Sequence, residues 1–434
     1  MKEFDKVIGY TDIKQELEQI ADTLKNSASY EKLGVSAPKG LMLYGDPGLG
    51  KTLMATSLVE ASGRSVFICR KDKPNGDFVR AIKETFDQAK ENAPSIVFLD
   101  DMDKFANEDE RHRDAEEYVT VQSCIDEVRG KDVFVLATAN DIDFLPRSLL
   151  RAGRFDRCIE VEAPYGKDAE QIIAHYLEGK AFVSGIDPKE IAEIMEGCSC
   201  AELETVINEA GLYAGYERSE SIRKEHFMKA CLRIHFNVTS PMVDDENGID
   251  LTAGDEKLTR IVYHEAGHAV LAELLMPSSV ALISAIGRCG RVGGFVSYCG
   301  THEMNHDYWC RSRIIGSLGG MAAMEQRFGN TGTGAEHDLG QAFHMMDDLV
   351  GDSCSCGFAY YSKGMREDSE ELKAKREMVV ASEVEKAYRK AKEILAVNRT
   401  FFEKIAEELA RKRLLTKKDV QRIKAECTIV PVAI

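Results

Sequence analysis

The sequence predicts an α/β module, a parallel sheet covered by helices with a small helical lid, followed by a mainly α-helical domain. Three observations carry that reading. Over residues 1–166, short apolar runs rich in β-branched residues alternate with amphipathic stretches. This is the pattern of strands buried on both faces with helices laid over them. From residue 167 the strand signal stops and helical periodicity runs to 236. After a polar, turn-rich linker at 237–256, residues 257–434 are again mostly helical. A chain of 434 residues exceeds one ordinary core, so these shifts are domain boundaries.

Strands are expected at 40–45 (GLMLYG), 65–69 (SVFIC), 95–100 (SIVFLD) and 132–140 (DVFVLATAN). Each ends in polar or glycine signals. DFVRAIKETFDQAKE, 77–91, has the apolar stripe of a helix lying on a sheet. DAEQIIAHYL, PKEIAEIMEG, SCAELETVINEAGLYAGYE and RKEHFMKACLRIHF then follow as four helices. In the last domain, TRIVYHEAGHAVLAELLM (259–276) reads as a buried helix and 280–300 as a glycine-punctuated strand region. From about residue 366 a long, charged helical tail is expected.

Composition excludes some classes. The formal net charge is −17, which repels nucleic acid and anionic lipid, so neither is expected as a general partner. No stretch approaches the about 20 apolar residues that span a bilayer. The 12 cysteines contain no C-x-x-C pair. Two C-x-C pairs, Cys198/Cys200 and Cys354/Cys356, are read as free thiols of a reducing compartment.

GDPGLGKT, 45–52, fits G-x-x-x-x-G-K-[ST] between a strand and a helix, the context a phosphate-binding loop requires. Asp46, Pro47, Gly48, Leu49 and Gly50 form the nucleotide-binding loop, in which Gly45, Gly48 and Gly50 would let backbone N–H groups curl around phosphate oxygens. Lys51 supplies charge to the β- and γ-phosphates, and Thr52 a hydroxyl to Mg2+. At the end of a neighbouring strand, Asp100 is placed to hold Mg2+ through water, with Asp101 beside it. ATP and Mg2+ are therefore expected. Farther on, HEAGH puts His264 and His268 four residues apart, on one face of a helix. Two imidazoles at that spacing with Glu265 between them are the signature of a Zn2+ site with a general base. Catalytic zinc takes a third protein ligand. Glu325, Glu336, His337 and Asp338 are candidates, and spacing does not choose among them.

SIVFLDDMD, VFVLATAND and LLRAGRFDR, in this order after GDPGLGKT, resemble the AAA+ ATPase core. The resemblance implies that Asn140 positions the attacking water. It also implies that Arg154 and Arg157 reach a neighbouring subunit's γ-phosphate in a ring, usually a hexamer. An AAA+ core followed by HEAGH resembles the FtsH family of ATP-dependent zinc proteases over almost the whole chain. In that family the aspartate of T-x-G-A-x-N-D-[LI] is the third ligand, and TGTGAEHDL places it at Asp338. The implied second fold is a zincin-type peptidase domain whose 280–300 strand holds extended substrate by β-addition. In the chemistry implied, zinc brings the pKa of its water toward ~7 and Glu265 passes the proton on to the leaving amine.

The chain departs from the family at four places. Its Walker B strand ends Asp100-Asp101 rather than Asp-Glu, so ATP binding is expected to persist and hydrolysis to be slow. Pro74-Asn75-Gly76 stands where an aromatic–aliphatic–glycine pore loop grips polypeptide, and Phe78 reads as the first turn of a helix. Met321 and Met324 replace an arginine and a glutamate near the zinc site. The family's amino-terminal membrane spans have no counterpart. The resulting expectation is a nucleotide-dependent zinc endopeptidase that acts on unstructured or partly unfolded polypeptides. It is expected in the cytoplasm, free or as the soluble part of a membrane-anchored protease. Two rivals are a remodelling ATPase with a vestigial peptidase, and a peptidase whose AAA+ half is a nucleotide-gated scaffold.

Overall fold

A computed structural model describes residues 2–34, 37–72, 74–106, 115–183, 185–238, 249, 251, 256–287, 293–300, 307–332, 335–351 and 370–432. Cys354 and Cys356 lie outside them. The chain packs as two compact units. One comprises residues up to Lys180 with Gly197–Asn208, and the other Ala181–Glu196 with everything from Glu209. The helical segment 167–236 is thus divided in packing. No described helix is long and apolar enough to cross a membrane.

The first unit holds helices α1 (Thr11–Lys25), α2 (Ser27–Glu31), α3 (Lys51–Ser62), α4 (Asn75–Glu91), α5 (Glu116–Glu127) and α6 (Gly166–Leu177). Its strands are β1 (Gly40–Tyr44), β2 (Ser65–Arg70), β3 (Ser95–Asp100), β4 (Val133–Ala139) and β5 (Arg157–Glu160), in the order β2-β3-β4-β1-β5. Every pairing is parallel. The apolar runs of β3 and β4 are buried throughout, as central parallel strands must be. β5 escaped the sequence reading because it has four residues and buries one. Parallel strands end at one edge, so the loop after β1, Asp100 at the end of β3 and Asn140 after β4 come together there.

Helices α7 (Pro188–Ile194), α8 (Cys200–Tyr216) and α9 (Lys224–Ile234) complete the helical segment, α8 running through the division. The second unit continues with α10 (Glu256–Leu275), β6 (Val280–Ser284), β7 (Phe295–Tyr298), α11 (Asp307–Ser317), α12 (Gly319–Phe328), α13 (Glu336–Gly351), α14 (Glu370–Val397), α15 (Arg399–Lys412), β8 (Leu414–Thr416) and α16 (Lys417–Ala425). Val262, Ala266, Val270, Phe401, Phe402 and Ile405 belong to its core, which α10 crosses.

Two expectations need correction. The strand region at 280–300 is an antiparallel pair, β6 with β7, rather than one strand. The helical tail is interrupted by β8, which pairs with β6 through Ile283 and Leu415. Left-handed Arg413 (φ 59°) ends α15, and three residues are too few to show a strand period. The sheet order β7-β6-β8 leaves β7 at an edge. Its ends are held from the α7–α9 segment. Phe236 stacks on Phe295 at 4.5 Å, and the Gly300 amide donates to Glu196 at 2.6 Å. Lys417, paired with Glu193 at 2.8 Å, lies 3.5 Å from the Cys299 sulfur.

Candidate active sites

At the edge of the parallel sheet, Gly50 (φ 89°) turns the chain into α3 in a conformation that suits glycine. Lys51 begins the helix and is buried. Its Nζ donates to the carbonyls of Gly45 (2.6 Å) and Asp46 (2.7 Å) and to Asn140 Oδ1 (3.0 Å). Among the described residues it makes no ion pair. Burial lowers its pKa, against the pull of Asp101, Asp103 and Asp46. A buried ammonium with neutral partners is a charge awaiting an anion, and a nucleotide phosphate fits it.

Asp100 accepts from Thr138 Oγ1 at 2.7 Å and from Thr52 Oγ1 at 3.3 Å, and pairs with Arg70. The Mg2+-binding pair read from sequence, Thr52 and Asp100, is therefore adjacent. Asp101 sits in the left-handed region (φ 54°), and its carboxylate is taken by Lys104 at 2.7 Å. Asp103 holds Asn140 by the backbone amide at 3.0 Å and by Nδ2 at 3.2 Å. The sequence reading missed Asp103, Arg70 and Thr138, although Asp103 stands in the same DDMD run.

The two arginines of GRFDR are placed differently. Arg154 is largely covered, pairs with Asp126 at 2.9 Å and donates to Gln122 at 3.1 Å. Arg157 is exposed, 3.8 Å from Glu16. Arg151, three residues before Arg154, is exposed and makes no ion pair among the described residues. Phe78 is fully buried in the first turn of α4, edge-on to Phe105 at 4.8 Å, so it cannot serve as a polypeptide grip. Burial raises the thiols of Cys198, to about 12, and Cys200, which keeps both protonated.

The second site is built on α10. His264 and His268 project from one face, with their Nε2 atoms 3.2 Å apart. Asp338, in the first turn of α13, brings Oδ2 to 3.0 Å from His264 Nε2 and 3.2 Å from His268 Nε2. A tetrahedral zinc with bonds of about 2.0–2.1 Å needs donor separations of about 3.3 Å, so the triad fits that ion. Of the four acids and imidazoles left open by spacing, only Asp338 joins the pair. Glu325 is engaged by Tyr388 and Lys392, and Glu336 and His337 are exposed.

His268 Nδ1 donates to the Gly316 carbonyl at 2.9 Å, which leaves Nε2 to face the triad. Burial disfavours the His268 cation, but the hydrogen bond and charge of Asp338, then Glu265 and the Gly316 carbonyl, bring it up to about 9. Burial opposes ionisation of Asp338, yet the two imidazoles hold it well below the usual carboxylate range.

Glu265 is buried and lines the same cleft, about 730 Å3 in volume, with Ile261, Val296, Tyr298, Met324 and Met345. Gly294, just before β7, lies where a Cβ would strike the Glu265 side chain at 2.5 Å. Gly320 leaves the room that the His264 ring occupies. These close approaches explain Gly294 before β7 and Gly320 in the LGG run. Met324 lines the cleft and Met321 packs against the core, so neither offers the polar support that arginine and glutamate would.

Three protein families match the chain. Residues 41–163 match the ATPase family associated with various cellular activities, 185–229 the AAA+ lid domain, and 252–423 peptidase family M41. Similar relatives are named ATP-dependent zinc metalloprotease FtsH. That of Caldicellulosiruptor bescii is 32% identical over 97% of this chain and 71% of its own length. That of Thermus thermophilus is 31% identical over 97% and 70%. The FtsH 2 of a Thermoanaerobacter species is 30% identical over 97% and 82%.

Proposed function

The chain belongs to the FtsH family of ATP-dependent zinc metalloproteases, and from that membership we propose how its residues divide the work. It is an ATP-dependent zinc metalloprotease that uses ATP with Mg2+ in one part and Zn2+ in the other. Residues 1–166 with the lid 167–236 serve as the motor, and 257–434 as the peptidase. The observation that carries the peptidase assignment is the meeting of His264, His268 and Asp338 within 3.2 Å, beside buried Glu265.

His264, His268 and Asp338 hold the zinc. Bound there, the ion supplies Lewis acidity that polarises the scissile carbonyl and makes water acidic enough to lose a proton near neutral pH. Glu265 would take a proton from the attacking water as its oxygen bonds to the scissile carbonyl carbon, and would deliver it to the amine nitrogen as the C–N bond breaks. The β7 edge receives unstructured or partly unfolded polypeptide as an added strand. In the motor, Lys51 and the 46–50 loop cradle the phosphates, Thr52 and Asp100 hold Mg2+, and Asn140 orients water. Asp101 stands where a longer acid would polarise that water, which slows turnover. Subunits form a hexameric ring in which an arginine of the GRFDR segment reaches the neighbour's nucleotide. Exposed Arg157 is free to do so, whereas Arg154 must first leave Asp126.

The test is cleavage of unfolded casein by the zinc-loaded protein without nucleotide, with ATP and with a non-hydrolysable analogue, against Glu265→Gln. Cleavage with ATP alone, lost in the variant, is expected. Equal cleavage with the analogue would reduce the motor to a scaffold. No cleavage from protein holding one zinc per chain would favour the remodelling ATPase.

A further inference from the structure

We propose that Arg313 recognises a carboxylate on the substrate, so that the peptidase cleft prefers a negative group at one position beside the scissile bond. This deepens, and rests on, the peptidase reading above. Arg313 comes from α11 and lines the same cleft as Glu265, His264 and Asp338. The other arginines nearby are engaged. Arg311, on the same helix, pairs with Asp307 at 2.8 Å and Glu383 at 3.4 Å. Arg260, also in the cleft, pairs with Glu256 at 2.9 Å and donates to Asn330 at 3.1 Å. Arg313 makes no ion pair or hydrogen bond among the described residues.

What holds Arg313 is aromatic. Its guanidinium lies 5.1 Å from the Trp309 ring and 5.8 Å from the Tyr298 ring. Ring faces attract the cation and fix its plane, but they leave its five in-plane N–H donors unused. Tyr298 is the last residue of the edge strand β7. Burial, then the charges of Glu265 and Asp338, push the Tyr298 hydroxyl up, against the opposing charge of Arg313. Arg313 therefore lines the cleft that holds the triad and lies against the last residue of the strand along which substrate would lie. A half-buried guanidinium without a counter-ion among the described residues carries a desolvation cost that a substrate carboxylate, bound by two parallel N–H donors, would offset.

A carboxylate can come from an Asp or Glu side chain or from a free C-terminus, and the experiment separates them. A neutral fluorogenic peptide carries one Asp, moved through each position flanking the scissile bond, with the isosteric Asn peptide as its partner. A second pair has a free or an amidated C-terminus. At one position the Asp/Asn ratio of kcat/KM should be about tenfold or more, the size of a charge-assisted hydrogen bond. A matching preference for the free C-terminus would name that source instead. R313Q should bring the ratio to about one, and R313E should invert it toward a Lys peptide over its Gln partner. Inversion is something that simple loss of packing does not produce.

Binding has its own reporter, because Trp309 is the sole tryptophan of the chain. In the Glu265→Gln background, Trp309 fluorescence should show tighter binding of the preferred acidic peptide than of its amide partner. A ratio at or below one for every Asp position and for the free C-terminus overturns the proposal, as does a ratio that survives in R313Q. Failure of the peptidase reading looks different. No peptide would then be cut by the zinc-loaded protein, whatever its charge, while the Trp309 titration still reports on Arg313.

Discussion

At the scale of single residues, both centres pair a buried charge with a partner that sets its role. Glu265 lines the cleft beside the triad, and Asp338 completes the triad at 3.0–3.2 Å. We predict that Glu265→Gln keeps stoichiometric zinc by elemental analysis while casein cleavage falls by about 10²–10⁴-fold, the usual share of a general base. Asp338→Asn should lose zinc as well as activity, because a neutral amide is a poorer third ligand. In the motor, the Asp101 carboxylate is short by one methylene and is occupied by Lys104 at 2.7 Å. Asp101→Glu is predicted to raise steady-state ATP turnover about tenfold or more with little change in nucleotide affinity. Equal turnover of the two proteins would sink the idea that this position limits the motor.

At the scale of elements, the peptidase centre depends on how closely α10 and α12 approach. A Cβ on Gly267 would meet the Ala323 Cβ at 2.6 Å and the Gly319 carbonyl. Gly267→Ala should therefore destabilise the second unit by about 1–3 kcal/mol, the usual cost of overpacking, read as a lower urea midpoint. It should also lower zinc occupancy, since His264 and His268 ride on the displaced helix. The start of α9 carries a pH-sensitive joint. Glu217 bonds His226 at 2.9 Å and Lys229 at 3.0 Å. The hydrogen bond from His226, then that from Lys229, bring its carboxyl down from 4.5 to about 2. A depressed carboxylate contributes stability above its unfolded pKa and loses it as pH falls toward the folded value. We predict that Glu217→Gln is less stable than the parent at pH 7. The difference should shrink between pH 4.5 and 2, as thermal melts would show.

At the scale of the whole molecule, the proposed ring makes hydrolysis a property of neighbours. Arg157 is exposed and only loosely attached to Glu16 at 3.8 Å. Arg157→Ala should bind nucleotide normally and lose turnover by about 10³-fold, the contribution of an arginine supplied in trans. Lys51→Ala should fail at binding. Mixed rings of the two variants should recover part of the ATPase. In such rings an intact loop of one subunit can face an intact arginine of the other. Absence of recovery in rings shown to be mixed would argue against a shared site.

Much of this was legible in the residues because it is local. The GDPGLGKT loop needs only its own backbone, and HEAGH needs only the helix period to align two imidazoles. The α/β alternation, the four helices after residue 167 and Phe78 inside a helix were readable for the same reason. Other features depend on contacts between residues distant in sequence. β8 was hidden because its three residues gain strand geometry by pairing with β6, far away in sequence. Asp103, Thr138 and Arg70 were missed because their partners lie on other strands and loops. The sequence by itself determined which groups are present: a glycine-rich loop ending in Lys51-Thr52, paired imidazoles and a carboxylate between them. Spacing left four later side chains open and the family resemblance pointed to Asp338; the tertiary structure brings Asp338 to those imidazoles. It also decided that Arg313, without an ion pair among the described residues, lies against two rings at the cleft. The physical reason is one of range. Periodicity and turn chemistry act over a few residues, while the packing of α10, α11 and α13 chooses partners across the core.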